Sequence, residues 1–292
     1  MSLSSSSAAR WIVIPPFLHD ASWRLAVAEA VEMAGLRLHD LEAAPENLPL
    51  DDRNAVIITV DAYQAVAAGV LPENVAGLMT GTGIRLDPND NPDLLPSNIQ
   101  VFTALVGRIG DLPPERVFRS DDFAAGALEI FPGLKLERPS RPPETALSPR
   151  LKAVTEAVAL LDPGHPQATW APPLFNYDSR LVPGGGPGQL DLTGRPRFMI
   201  TGPYIVMPAG RWRAAYQLTF DEKGSRPRFR TDWGGAEDYV SEEFSPGRAG
   251  VFEIVQEYNW IEPGPCELRI IVLEGVFDGQ MTFSGAEITR VG

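Results

Sequence analysis

Cysteine, histidine and lysine are all scarce in this chain of 292 residues. Cys266 is the single cysteine, which excludes an internal disulfide framework and any multi-cysteine zinc site. His19, His39 and His165 are the only histidines, and their wide separation argues against a histidine-rich metal site. Of the 25 basic residues only Lys135, Lys152 and Lys223 are lysine. With abundant Ala, Gly and Pro, this reads as codon bias from a GC-rich bacterial genome. Apolar runs stop well short of the roughly 20 residues that a spanning helix needs, so no membrane insertion is expected. Acidic residues outnumber basic ones 38 to 25, for a net charge of -13. A phosphate-binding surface would work against that field, so nucleic acid is not an expected partner. Catalytic signatures are missing as well. The G-x-G-x-x-G fingerprint, the Walker motif and the G-x-S-x-G nucleophile elbow are all absent.

What is present is the composition of a globular protein, 44% apolar and 22% charged. The length suits two ordinary domains or one large one. Residues 1–9 are small and polar and read as a disordered tail. They lack the basic start and long apolar core of a signal peptide, so the expected location is cytoplasmic.

The two halves differ in pattern. From 10 to 138, short apolar runs alternate with helical stretches. Residues 11–14 read as a buried strand ended by Pro15 and Pro16. Ser22 reads as the N-cap of a helix from Trp23 to Leu38, with Leu25, Ala28, Val31 and Ala34 at helical spacing. Residues 55–60 form a continuous β-branched run suited to a central parallel strand. A short helix is expected over 62–70, and 101–106 fit a strand or a helix equally. This β-α-β-α order predicts a small Rossmann-like α/β layer.

Residues 139–150 carry four prolines and read as a semi-rigid linker, followed by a helix over 151–161. From Trp170 onward no helix is expected. Strand-like runs recur at 197–200, 204–207, 211–220, 228–233, 250–260, 267–274 and 280–289, with Gly and Pro between them. Short strands at such spacing predict an antiparallel β-sandwich or jelly roll over 165–292. The fold class expected is therefore α/β plus all-β.

Strand alternation gives each run two faces. Trp212, Ala214, Tyr216, Leu218 and Phe220 share one side, and Arg211, Arg213, Gln217 and Thr219 the other. Arg213, Arg230, Asp232, Glu253, Glu257 and Arg269 are expected as a charged ladder on one sheet. Cross-strand ion pairs on a wet face would produce the same pattern.

Sugar recognition needs planar rings for the C–H faces of pyranoses and fixed polar groups for the hydroxyls. Trp170, Tyr177, Tyr204, Trp233, Tyr239 and Trp260 fall at strand ends or expected loops. The stretch 232–239, with Asp232, Trp233, Asp238 and Tyr239 around two glycines, is the best single candidate. For Trp233 the stronger reading is a cap on the sandwich core. The candidate ligand-binding set is Asp232, Trp233, Asp238, Tyr239, Tyr204, Arg213, Glu257 and Trp260, with no catalytic residue, metal or cofactor assigned.

Residues 191–194 (Asp-Leu-Thr-Gly), 201–205 (Thr-Gly-Pro-Tyr-Ile) and 207–213 (Met-Pro-Ala-Gly-Arg-Trp-Arg) carry a resemblance. This region, 185–292, resembles the β-sandwich modules of bacterial surface-polysaccharide proteins, which are similar to carbohydrate-binding modules. The resemblance implies a jelly-roll fold and a setting in capsule or exopolysaccharide assembly. A carbohydrate ligand and a protein partner in polysaccharide assembly are the implied partners.

The first half offers weaker chemistry. His19, Asp20 and Asp61 would lie beyond the carboxyl ends of strands, where open α/β sheets bind ligands. Residues 80–83 (Thr-Gly-Thr-Gly) suit a phosphate-contacting turn. Residues 87–93 begin like a calcium loop, but Pro92 stands where glycine is needed and Asn98 where a bidentate glutamate is needed, which rejects an EF-hand. Three functional readings follow: a non-catalytic carbohydrate-binding protein, which is the one preferred; a nucleotide-sugar-dependent glycosyltransferase-like enzyme; and a structural or assembly module.

Overall fold

The computed structural model describes residues 8–17, 20–46, 48–79, 95–124, 126–140, 148–161, 165–178, 182 and 185–291. The chain divides into two compact units, 1–88 with 105–146, and 89–104 with 147–292.

The first unit is built on β1 (Arg10–Val13), β2 (Arg37–Asp40), β3 (Ala55–Thr59), β4 (Val75–Met79) and β5 (Val117–Arg119), with α1 (Asp20–Met33) and α2 (Ala62–Ala67). The five strands pair in parallel in the order β2-β3-β1-β4-β5. β1 and β3 are covered on both faces. Ile12, Val56 and Ile58 pack with Trp23, Val27 and Val31 of α1, while Trp11, Val13 and Ile57 pack with Ala62, Ala65 and Ile109. Two-sided burial is why these strands read as unbroken apolar runs. Gly77 in β4 allows the close approach of Ile109, whose Cγ2 would lie 2.7 Å from an added Cβ. A hairpin of β6 (Leu128–Phe131) and β7 (Leu134–Leu136) packs its buried residues into the α1 side of the core.

The five-stranded parallel sheet makes an α/β layer, but its strand order does not confirm the Rossmann-like expectation. The doubly wound fold has strand order 3-2-1-4-5, whereas here the second and third strands have exchanged places. Residues 41–54 join these two strands with no helix among the described residues. α1 also differs from expectation, starting at Asp20 and ending at Met33. Gly35, at φ 65°, closes it: the Leu36 and Gly35 N–H groups donate back to Val31 and Glu32, and Arg37 is then released into β2. The tail reading fails at Ala9, which is fully buried and donates to the Leu50 carbonyl at 2.8 Å. The 101–106 ambiguity resolves as helix, within α3 (Leu95–Gly110). Among the described residues its buried positions are Ile99, Phe102, Thr103, Leu105, Val106 and Ile109, most of them at helical spacing.

The second unit includes α4 (Pro149–Ala157), capped by Ser148 Oγ, which accepts from the Leu151 N–H at 3.2 Å. A 3-10 turn, Val158–Leu161, continues it. Eleven strands follow among the described residues: β8 (Gln167–Trp170), β9 (Asn176–Tyr177), β10 (Gln189–Asp191), β11 (Arg197–Thr201), β12 (Pro203–Met207), β13 (Gly210–Phe220), β14 (Phe229–Gly234), β15 (Tyr239–Phe244), β16 (Gly250–Trp260), β17 (Gly264–Val272) and β18 (Gln280–Arg290). They form two antiparallel sheets. One has the order β10-β18-β13-β16, with β8 also on β18; the other has β15-β14-β17-β11-β9, with β12 also on β17.

The inner faces of the two sheets make a β-sandwich. Trp212, Ala214, Tyr216, Leu218 and Phe220 of β13 are all buried, as their alternation requires. Rings from the two sheets meet edge to face: Trp233 on β14 lies 5.7 Å from Trp170 and 5.4 Å from Trp260. Gln256, buried in this core, ties the sheets together. It accepts from Tyr216 Oη at 2.7 Å, and its Nε2 donates to the Thr231 and Val240 carbonyls at 3.3 and 3.2 Å. Thr103 of α3 serves the sandwich too, its Oγ1 accepting from the Val206 N–H at 2.9 Å.

The single charged ladder becomes two. Arg213, Glu253 and Glu257 sit on the β13–β16 pair of the first sheet, while Arg230, Asp232 and Arg269 sit on the β14–β17 pair of the second. Alternation gives a residue's face within a strand but carries no information about which sheet the strand joins.

Candidate functional site

Phe229, Thr231 and Trp233 of β14 point into the sandwich, so Arg230, Asp232 and Gly234 lie on the outer face of the second sheet. Register extends this face sideways. Asp232 lies opposite Ser241 of β15 and Arg269 of β17, and Gly234 lies opposite Tyr239 and Glu267. Pro203 of β12 is opposite Glu267 on the other side, which brings in Tyr204. Tyr204 has φ 68°, in the left-handed region that non-glycine residues seldom adopt. A side chain held there against its preference is a common feature of binding sites.

These groups form an array of two bonded clusters, side by side because Asp232 and Arg269 are register neighbours. Tyr204 Oη donates to Glu267 Oε1 at 3.1 Å, and Glu267 Oε2 accepts from Arg269 Nη2. The same Arg269 nitrogen donates to the Ala236 carbonyl at 3.0 Å, and the guanidinium carbon sits 4.9 Å from the centroid of the Tyr239 ring. Asp232 Oδ1 accepts from Ser241 Oγ at 2.6 Å, and its Oδ2 accepts from Arg230 Nη2 at 3.1 Å. Asp232 is fully buried and Glu267 nearly so, although both are on an outer sheet face. A buried carboxylate is tolerated only when paired and hydrogen-bonded, which the two arginines, the serine and the tyrosine accomplish here.

The electrostatics follow from that packing. The hydrogen bond to Glu267 holds the Arg269 guanidinium above its ordinary pKa. Burial raises the Tyr204 phenol, which therefore stays a neutral hydrogen-bond donor. At the hairpin beyond β14, Tyr258 Oη donates to Asp238 Oδ2 at 3.1 Å, and burial followed by this bond raises the Tyr258 phenol.

The residues singled out in the sequence separate into three groups. Asp232, Tyr239 and Tyr204 come together in the array, with Asp238 beside it at the hairpin. Arg213 and Glu257 face outward on the other sheet, where Glu257 pairs with Arg211 at 2.5 Å. Trp233 and Trp260 are buried in the inter-sheet core and present no face to solvent, a correction to their place in the candidate set. Trp233 continues the inward alternation of Phe229 and Thr231, so the following glycines do not open it into a loop. Glu267 and Ser241 were not singled out. Glu267 was signalled by Arg269 two residues on, an acid and a base sharing one face of an otherwise apolar strand.

No family model and no curated protein matches the chain. Among solved structures it is similar to TmCBM61 in complex with beta-1,4-galactotriose, at 12% identity over 37% of this chain and 73% of that one, with a TM-score of 0.29. It is similar to the CBM22-1 xylan-binding domain from Paenibacillus barcinonensis, at 11% identity over 37% and 74%, with a TM-score of 0.27. A third is the C-terminal CBM6 of a marine laminarinase from Zobellia galactanivorans, at 18% identity over 40% and 90%, with a TM-score of 0.26. The resemblance to carbohydrate-binding modules is thus met again, weakly and over part of the chain.

In the first unit, Asp61 and Asp20 take places at helix starts. Asp61 caps α2 by accepting from the Tyr63 N–H at 2.9 Å and pairs with Arg108 at 2.5 Å, whose guanidinium lies over the Tyr63 ring. Asp20 is buried at the start of α1. His19, the turn at 80–83 and the calcium-like loop at 87–93 lie outside the described residues. Among the described residues no group of three or more His, Cys, Asp or Glu side chains is placed to hold a metal ion. None of their helices is long and apolar enough to cross a membrane. A pocket of ≈ 310 Å³ between the β13–β14 and β17–β18 connections is lined by Lys223, Arg226, Glu274, Phe277 and Asp278. Its Lys223–Asp278 pair is exposed, and Glu274 is taken up by Arg228 at 2.7 Å.

Proposed function

We propose that this protein binds carbohydrate without catalysing its conversion, and that the ligand lies across the outer face of the second sheet between Tyr204 and Tyr239. The observation that carries this reading is the array itself. Two half-buried tyrosines bracket a set of carboxylate, guanidinium and hydroxyl groups that the fold already holds in place. Sugar binding is favoured by such preorganisation, because few side chains must be ordered when the ligand arrives. Tyrosine suits the role, offering a flat apolar ring for C–H faces and a hydroxyl for bonding. Both carboxylates are committed to arginines, an arrangement fitted to holding hydroxyls in register.

The sandwich spanning 165–292 is the binding element in this reading, and the α/β region spanning 10–138 is a separate domain. The setting in bacterial capsule or exopolysaccharide assembly rests on the sequence resemblance over 185–292. Deleting the gene should then lower surface polysaccharide, and unchanged polysaccharide would remove that setting while leaving the binding reading intact.

The binding reading is tested with the full chain on a glycan array, followed by calorimetry for each glycan retained. Tyr239→Ala should weaken binding by about tenfold or more. Its stability loss should stay near the 0.5–1 kcal/mol of a cation–π contact, or about 4 °C in melting temperature at most. Unchanged affinity in the variant would remove the face as the site.

A further inference from the structure

We infer that the carbohydrate taken by this face is acidic, a glycan whose uronate carboxylates are held by Arg230 and Arg269. This rests on the proposed binding face and adds the ligand's chemical class.

Hydrogen-bond accounting across the array points to it. Each carboxylate oxygen of Asp232 and Glu267 already accepts a bond from the protein: from Ser241 and Arg230 in one case, from Tyr204 and Arg269 in the other. The donors are less fully used. Among the described residues Arg230 Nη1 and Arg269 Nη1 make no hydrogen bond: Arg230 meets Asp232 through Nη2 and, 3.0 Å from Oδ1, through Nε, and Arg269 bonds through Nη2. The Asp232 side chain is 1% exposed while its partner Arg230 is 33% exposed. Asp232 thus lies beneath Arg230, while Arg269 and Glu267, at 15% and 10% exposure, are both largely buried.

A face whose carboxylate acceptors are already used, and whose guanidinium groups each keep an unused Nη1, is matched by a ligand rich in anionic acceptors. Guanidinium groups recognise carboxylates through paired, charge-assisted bonds that are stronger than bonds to neutral hydroxyls. The net charge of -13 does not oppose this at close range. At physiological salt the screening length is about 8 Å, so the nearest groups decide. Of the nearby acids, Asp238 accepts from Tyr258, and Glu243, opposite Arg230 on the same face, lies 3.8 Å from Arg228. Glu237 is exposed at the hairpin.

The test is calorimetry of the full chain with oligogalacturonate, oligoalginate and oligoglucuronate, each beside its own carboxyl-reduced form. At least one acidic form should bind about tenfold or more tighter than its reduced partner. That preference should shrink as sodium chloride rises from about 50 to about 500 mM. Arg230→Gln, which keeps a polar group beside Asp232, should abolish the preference. Because that variant can lose stability, the paired ligands on the unmodified protein decide the matter alone. Equal binding of acidic and reduced forms, or preference for the reduced form, would overturn this inference and leave carbohydrate binding standing. Binding of neither set, together with silence on a neutral glycan array, would overturn both.

Discussion

Asp232 and Ser241 meet across neighbouring strands on the outer face of the second sheet, with the serine Oγ donating to the aspartate Oδ1 at 2.6 Å. The contact is unusual in that the carboxylate, although on the solvent side of a sheet, is fully buried. It depends on its neighbours for every bond that water would otherwise supply.

Ser241→Ala should therefore cost about 1.5–3 kcal/mol, the range for a hydrogen bond to a charged group. Asp232→Ala should cost about 3 kcal/mol, the lower end of the range for breaking a buried pair, because Arg230 is one-third exposed and recovers some hydration. Urea denaturation of the two variants measures both. Losses below 0.5 kcal/mol, the level of an exposed ion pair, would mean that water reaches Asp232.

Trp233 has a structural role. It is fully buried between Trp170 and Trp260, so Trp233→Ala should lose about 3–5 kcal/mol through lost packing and the cavity left behind. Chemical denaturation followed by near-ultraviolet circular dichroism should show an early transition. A variant as stable as the parent would place this ring at the surface.

Tyr204 carries a backbone conformation suited to glycine. Truncation to alanine and to glycine remove the same ring and the same bond to Glu267, but only glycine relieves the left-handed φ. Tyr204→Gly should thus be more stable than Tyr204→Ala by about 1 kcal/mol, the reverse of the order at ordinary strand positions. Both should weaken glycan binding. Denaturation midpoints give the order, and an alanine variant equal to or above glycine would contradict the strained geometry.

The Cys266 thiol is fully buried, and burial raises its pKa well above the ordinary value. Its contribution to stability is intact below the unfolded-state value of about 8.5. As pH rises past that value the unfolded chain ionises first, and stability falls by up to about 1.4 kcal/mol per pH unit. Cys266→Ala should flatten this fall between about pH 8.5 and 9.5, below the range where the buried tyrosines begin to contribute. Equal slopes for the variant and the parent would mean that the thiol ionises in the folded state.

Local pattern carried much of the architecture. The inward set of β13, from Trp212 to Phe220, is legible because side-chain direction alternates with every residue. The parallel run is legible because two-sided burial leaves no polar position from Ala55 to Ile58. What could not be read depends on pairing between distant segments. Arg213 and Arg269 look alike in sequence, yet they belong to different sheets. β15, Tyr-Val-Ser-Glu-Glu-Phe, is an edge strand whose polar middle resembles a loop, so Ser241 went unnoticed. Trp233 was drawn toward the site by the glycines after it, although its alternation with Phe229 pointed to the core.

The central claim is that the ligand occupies the outer face of the second sheet, and backbone amide shift mapping during a titration tests it most directly. With the full chain and a glycan retained on the array, the largest shifts should fall at Tyr204, Asp232, Tyr239, Glu267 and Arg269. Shifts gathered instead around Arg213 and Glu257, or around the pocket lined by Lys223 and Phe277, would place the ligand elsewhere and contradict the account.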